Sequence, residues 1–123
     1  AVALRNLELM EERDLFAHAA RMGELMQARL ALLADHPLVG EVRGAGLIGA
    51  LELVADKETR AAFPASKGVG AYCMARCEEH GLISRAMGDS MALCPPLIID
   101  DAQIDELFSK LELALNDTLA WIN

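Results

Sequence analysis

Four groups of residues in this sequence could do chemistry. Gly44-Ala45-Gly46-Leu47-Ile48-Gly49 spells the dinucleotide-binding fingerprint letter for letter. That motif works when a strand runs into it and a helix starts from it, so that the helix N-terminus can hold a pyrophosphate. Here the following residues lean towards a strand, and no clean acidic strand end lies roughly 20 positions on to meet a ribose. A glycine-rich hairpin turn is the better expectation. Cys73 and Cys77 stand four apart, so they share a helix face, with His80 nearby and Cys94 further on. A thiolate metal site calls for four ligands in tight pairs, which this spacing lacks, so the thiols are expected to pack as small apolar groups.

Lys67, in Ala65-Ser66-Lys67-Gly68, invites comparison with an imine-forming lysine. Such a lysine is desolvated or crowded by other cations, whereas Lys67 falls in the first turn of an expected helix, three residues after Pro64. It reads as a solvated surface lysine. His18, His36 and His80 are scattered along the chain and form no nucleophile–base pattern. Arg85 is different. It stands among small or apolar residues in an expected strand, beside a tight Gly88-Asp89 turn. Two readings are open: an edge-strand arginine paired with a carboxylate such as Asp89, or a fork that grips the carboxylate of a substrate.

The elements that would carry these residues follow from periodicity. Val2, Leu4, Leu7 and Met10 place a helix at the start, and residues 7–14 are expected to bend between it and the next. Leu15, Ala19, Met22, Met26, Leu30 and Leu33 recur every three or four residues, the mark of an amphipathic helix. His36-Pro37 stops it. Residues 38–43 and 47–54 read as an antiparallel hairpin around Gly44-Ala45-Gly46, although the spacing of Leu47, Ile48, Leu51 and Val54 also suits a helix. Ser66 is expected to cap a third helix lined by Val69, Tyr72, Cys73 and Cys77 and stopped by Gly81. Residues 82–86 and 90–93 read as strands joined at Gly88-Asp89, and Pro95-Pro96 ends the second. Asp100 with Gln103 forms a capping box ahead of a last helix through Ile104, Leu107, Phe108, Leu111, Leu115 and Ile122. The order α-α-β-β-α-β-β-α predicts an α+β domain, a small antiparallel sheet packed with helices.

Composition narrows the function. The 123 residues are 54% hydrophobic, enough for a real core and of ordinary size for one domain. Nineteen acidic against eleven basic residues give a net charge of −8, and only Lys57, Lys67 and Lys110 supply lysine, which argues against nucleic acid as a partner. No apolar run reaches the roughly 20 residues of a membrane span, so no membrane partner is expected. Three cysteines make no disulfide framework and point to a reducing, cytoplasmic setting. The chain begins at Ala1 in mid-pattern and without a leader, as a piece of something longer would.

Two separated runs resemble one family. His36-Pro37-Leu38-Val39-Gly40-Glu41-Val42-Arg43-Gly44-Ala45-Gly46-Leu47-Ile48-Gly49 and on to Val54 is similar to the VRGxGL segment of class III pyridoxal-phosphate aminotransferases. Gly81-Leu82-Ile83-Ser84-Arg85-Ala86-Met87-Gly88-Asp89, then Pro95-Pro96-Leu97, is similar to their later GLIxRxxGD and PPL segments. The likeness runs over essentially the whole chain and is nearest to the ω-transaminases. It implies the C-terminal small domain of a fold-type I enzyme, with residues 1–36 leading in from a large domain and 37–123 forming the small one. The Gly44–Gly49 stretch would then be a strand turn. Arg85 would be the mobile arginine that binds a substrate carboxylate and swings aside for apolar amines. The resemblance further implies pyridoxal 5'-phosphate in the intact enzyme, small amine, amino-acid or keto-acid substrates, and a homodimer or tetramer. The cofactor-bearing lysine and the other cofactor contacts would lie outside this chain, so the piece alone is expected to be inactive.

A rival from another class is a stand-alone acidic α+β interaction domain, using the first helix to bind a partner. A large reading frame upstream of Ala1, or a start codon near it, separates the two. Within the family, a decarboxylating or mutase member is the second reading.

Overall fold

Two helices open the chain, and a two-residue break between them turns the second onto the sheet. The computed structural model describes residues 1–123. Helix α1 spans Val2–Glu12 and α2 spans Leu15–Leu32, joined through Arg13 and through Asp14, which has a positive φ of 49°. The expected bend over 7–14 is therefore shorter than the sequence indicates. Residues 7–12 stay helical because they are good helix formers and Arg5 reaches one and two turns on, to Glu8 and Glu12. Helix α2 ends in a 3-10 turn over Leu33–Asp35, and His36 before Pro37 is extended, as the proline requires.

The sheet comes from two hairpins. Strands β1 (Val39–Ala45) and β2 (Ile48–Leu53) pair around Gly46-Leu47 rather than around the expected Gly44-Ala45-Gly46, because Gly44 and Ala45 still pair with Gly49 and Ile48, and β3 (Arg85–Met87) and β4 (Ser90–Leu93) pair around Gly88-Asp89. Gly46 and Gly88 hold the first central position of each turn with φ of 55° and 62°, the conformation that suits glycine in a tight hairpin. All pairings are antiparallel, in the order β1-β2-β4-β3. The expected strand over 82–86 is displaced: only Arg85–Met87 pair. The cause lies in how helix α3 (Val69–Glu79) ends. Gly81 turns left-handed at φ 79°, its N–H bonds Glu78 O (2.9 Å), and Leu82 N–H bonds Cys77 O (2.8 Å). That Schellman pair holds Leu82 on the helix end and leaves Leu82–Ser84 outside the ladder.

Helix α4 spans Asp101–Ile122 with the expected capping box, Asp100 Oδ1 accepting from Gln103 N–H at 2.8 Å and Gln103 Oε1 accepting from Asp100 N–H at 3.1 Å. The helices cover one face of the sheet. Met26, Leu30, Leu51, Met91, Val69, Cys73, Ile104, Leu111 and Leu115 meet in one buried core. Burial alternates cleanly along β2 and β4, so every second residue faces away from the helices. The α+β architecture and antiparallel sheet expected from the sequence are both present.

Candidate functional site: the outer face of the sheet

The helix-free face is read off the strand register. Arg43 stands opposite Ala50, Ala50 opposite Ala92, and Ala92 opposite Arg85, so an arginine closes each end of a row with two alanines between. Beside it lies a row of Glu41, Glu52, Ser90 and Met87. Exposed apolar side chains flank both: Ile48 at 64%, Ile83 at 93% and Met87 at 55% of full exposure. A solvated face carries few large apolar groups so bare, and two on one small sheet with a third just ahead of β3 mark a surface suited to meet something other than water.

The two arginines differ in electrostatic state. Arg43 donates to Glu52 at 3.0 Å and to Glu41 at 3.4 Å, and the Glu52 hydrogen bond is the main cause that holds its already high pKa further up. Arg85 is exposed on the edge strand, and its guanidinium forms neither an ion pair nor a hydrogen bond. The first of its two sequence readings, pairing with Asp89, is therefore not what the fold does. Asp89 faces the other way, and its Oδ1 accepts the backbone N–H of Gly70 at 2.9 Å.

That contact corrects a second expectation. Ser66 does not cap the third helix. Ala65–Lys67 form a separate 3-10 turn, Gly68 takes φ 64° as the N-cap of α3, and no side chain of the local sequence caps it. Asp89, nineteen residues after Gly70, satisfies the helix N-terminus instead, where a carboxylate is favoured by the exposed N–H groups and the helix dipole. Sequence reasoning missed this role for Asp89. The signal was indirect: Gly68-Val69-Gly70 opens a helix without a capping residue of its own.

The remaining chemistry-bearing residues are brought to separate places. The Gly44–Gly49 fingerprint is a hairpin, and no helix starts from it. Its glycines answer to α2: Gln27 Nε2 donates to Gly46 O (2.8 Å) and Ile48 O (3.1 Å), and a Cβ on Gly44 would stand 2.7 Å from Gln27 Oε1. Cys73 and Cys77 lie fully buried in the core, as expected, and Cys94 is exposed just past β4. The hydrogen bond between Cys73 and Cys77, together with burial, pushes the Cys73 thiol up, so Cys73 stays protonated. The three histidines each tie different elements. His18 Nε2 meets Ile99 O at 2.7 Å, His80 Nε2 meets Asp117 Oδ2 at 2.7 Å, and His36 bridges Leu38 N (3.2 Å) and Asn116 Oδ1 (3.3 Å).

No lysine here is set to hold a carbonyl cofactor. Lys57 is spent on the carbonyls of Ala34 and His36, Lys110 on Glu106 and Gly81 O, and Lys67 lies exposed with its Nζ 5.4 Å from the Phe63 ring centre. The expected surface position of Lys67 is what the fold shows. No helix is long and apolar enough to cross a membrane.

Comparison with known proteins gives these observations a context. The family model described as aminotransferase class-III matches residues 1–115. The putrescine–pyruvate aminotransferase of Pseudomonas aeruginosa is 47% identical over 121 residues, which is 98% of this chain and 26% of that protein. The solved structure of a transaminase with L-alanine superimposes with a TM-score of 0.95 at 53% identity, over 99% of this chain and 29% of the other. The omega transaminase of Pseudomonas jessenii in complex with PMP gives 0.92 at 48% identity, over 98% and 26%. The chain thus spans about a quarter of the length of the relatives it matches.

Proposed function

Since this chain belongs to the class III aminotransferases, we propose that it is the substrate-gripping C-terminal small domain (residues 37–123, with 1–36 leading in) of an enzyme moving an amino group between an amine or amino acid and a keto acid such as pyruvate. The observation that carries the reading is Arg85: unpaired, exposed, on the sheet edge, between bare Ile83 and Met87. A free planar guanidinium binds a carboxylate through two parallel charge-assisted hydrogen bonds. Its long stem lets the head move, so that the apolar part of an amine meets Ile83 and Met87 instead.

Pyridoxal phosphate, when bound in the intact enzyme, supplies the electron sink for the chemistry. The residues of this chain do not fit the covalent hold on it, because all three lysines are engaged or exposed as described. Its contribution is to bind and orient. We place the intact enzyme in the cytoplasm as a homodimer or tetramer acting on small molecules, which the free thiols and the bare sheet face support.

The test is Arg85→Ala in the intact enzyme. Losing hydrogen bonds to a charged group, at about 1.5–3 kcal/mol, lowers kcat/KM for amino acids and pyruvate by about 10- to 150-fold. Turnover of a simple amine in its own half-reaction stays within a few-fold of wild type. Equal loss on both substrate types refutes the clamp and leaves Arg85 a structural residue. The isolated chain mixed with pyridoxal phosphate is expected to show no absorbance of a lysine-bound cofactor; a band that disappears in Lys67→Ala refutes that part.

A further inference from the structure

Resting on the reading of Arg85 as the carboxylate clamp, we propose that Asp89 is its positioning residue, fixing the reach of the arginine by bolting the β3–β4 turn to the N-terminus of α3. Strand β3 has one sheet neighbour only, so its pairing with β4 over three residues is all the ladder gives it. The rest of its placement comes from α3. At one end, Gly81 and Leu82 close the Schellman pair on the C-terminus of the helix. At the other end, Asp89 Oδ1 takes the Gly70 N–H at 2.9 Å, while Asp89 O accepts from Leu53 N–H at 2.9 Å. The run that carries Arg85 is thereby strapped along α3, fastened at both ends.

The fit at the Asp89 end is close. A Cβ on Gly70 would stand 2.0 Å from Gly88 O and 2.9 Å from the Asp89 Cα. Only a glycine lets the turn come this near to the helix, and nearness is what lets a carboxylate on the turn reach the helix N–H. Two features of the sequence, the uncapped Gly68-Val69-Gly70 start and the Gly88-Asp89 turn, are two halves of one joint. Arg85 lies three residues before that joint, at the free edge of the sheet, where a small rotation of the hairpin moves a long side chain most.

The experiment uses the intact enzyme, with Arg85→Ala as reference. Asp89→Ala removes the acceptor, and loss of a helix cap corresponds to about a fivefold effect. The expected result is a KM for pyruvate and for amino acids raised about fivefold, with kcat and the amine half-reaction held within about twofold. Asp89→Asn keeps an oxygen for the Gly70 N–H and restores most of the affinity. In an Arg85→Ala background, Asp89→Ala adds no further loss in the carboxylate arm, since it acts through the arginine. Gly70→Ala, which pushes the same joint apart from the helix side, gives the same selective signature.

Equal losses on carboxylate and amine substrates, failure of Asn to restore, or a full Asp89 effect without the arginine each overturn the proposal. Should Asp89→Ala not fold, Asp89→Ser carries the test, since its hydroxyl is one bond too short to keep the contact and the same selective loss is required of it. If Arg85→Ala itself shows no preference for carboxylate substrates, the reading of Arg85 has failed; a selective Arg85→Ala beside an unselective Asp89→Ala means the positioning role alone has failed.

Discussion

Gly23→Ala sets two physical effects against each other and so tests how α2 is held on the first hairpin. Gly23 is buried in the middle of α2, facing the turn of that hairpin. A Cβ there would stand 2.7 Å from the Gly46 Cα and 2.9 Å from its carbonyl carbon. Ordinary carbon–carbon contact is about 3.5–4.0 Å, so helix and hairpin must separate by about 1 Å. Both sides are backbone, and neither can turn a side chain out of the way. The same separation stretches the two bonds from Gln27 Nε2 to Gly46 O and Ile48 O, each worth about 1 kcal/mol. Overpacking of this kind costs about 1–3 kcal/mol. Against it stands helix propensity, which favours alanine over glycine by about 1 kcal/mol. The contact wins, and the net expectation is destabilisation by about 1–2 kcal/mol, read as a fall in Tm of about 3–10 °C in this chain. Ala20→Gly, on the exposed side of the same helix, calibrates the propensity effect alone. A higher Tm for Gly23→Ala, or no change, refutes the close approach of α2 to the hairpin.

Two further expectations concern a half-buried histidine and the three thiols. His36 accepts the Leu38 N–H on Nδ1 and faces Asn116 Oδ1 through Nε2, so it is built in as the neutral ring, and burial is the largest cause of its lowered pKa. Its folded pKa lies below the unfolded value of about 6.5, so the unfolded chain takes up the proton first; the stabilisation is full above that pH and is lost as the pH falls through the folded value. Urea midpoints measured from pH 8 to 5 should fall more steeply for wild type than for His36→Asn, and identical slopes would contradict this placement. Thiol labelling under native conditions should modify Cys94 alone, with Cys73 and Cys77 reacting only on unfolding; more than one fast thiol would mean that the core around α3 opens readily.

What the sequence made legible was whatever is decided locally. The helix of Leu15 to Leu33, the Pro37 stop, the capping box at Asp100 and Gln103 and the Gly88-Asp89 turn depend on residues a few positions apart, and all are present, as is the first hairpin with its turn moved on to Gly46-Leu47. What it concealed was decided across the fold. Ser66 has the right chemistry to cap a helix, yet Gly68 turns the chain and Asp89 arrives from a distant hairpin to do that work. Leu82-Ile83-Ser84 has strand-forming residues, but the end of α3 holds Leu82 before a ladder can begin. The Gly44–Gly49 pattern shows the same divide: its glycines satisfy a hairpin pressed against Gln27, Leu30 and Met26, and the spacing they share with a phosphate loop has a different cause. Arg85 was legible as a residue of interest because an arginine among small apolar neighbours is unusual. Its lack of a partner was not, because that depends on where Asp89 goes.

The destination of Asp89 also bears on how an acidic protein can grip an acid. Within the proposed function, the net charge of −8 on this chain disfavours an anionic substrate at long range, and any carboxylate of its own near Arg85 would compete for the guanidinium. A tethered competitor four residues away acts at an effective concentration on the order of millimolar. The sheet face deals with its other acids by pairing Glu41 and Glu52 with Arg43 on β1, the opposite edge of the sheet. Asp89 is removed by a different route, since the Gly70 N–H and the α3 dipole draw it to the far side of the turn. Within the proposed function, one hydrogen bond thus has two effects on the clamp: it fixes the hairpin that carries Arg85, and it keeps the nearest carboxylate from occupying it. The two separate in Asp89→Ala, which loosens the hairpin but also abolishes the competitor, and in Gly70→Ala, which loosens it and sets the competitor free. Carboxylate affinity should therefore fall further in Gly70→Ala than in Asp89→Ala. The reverse order would mean that Asp89 acts on Arg85 by position alone.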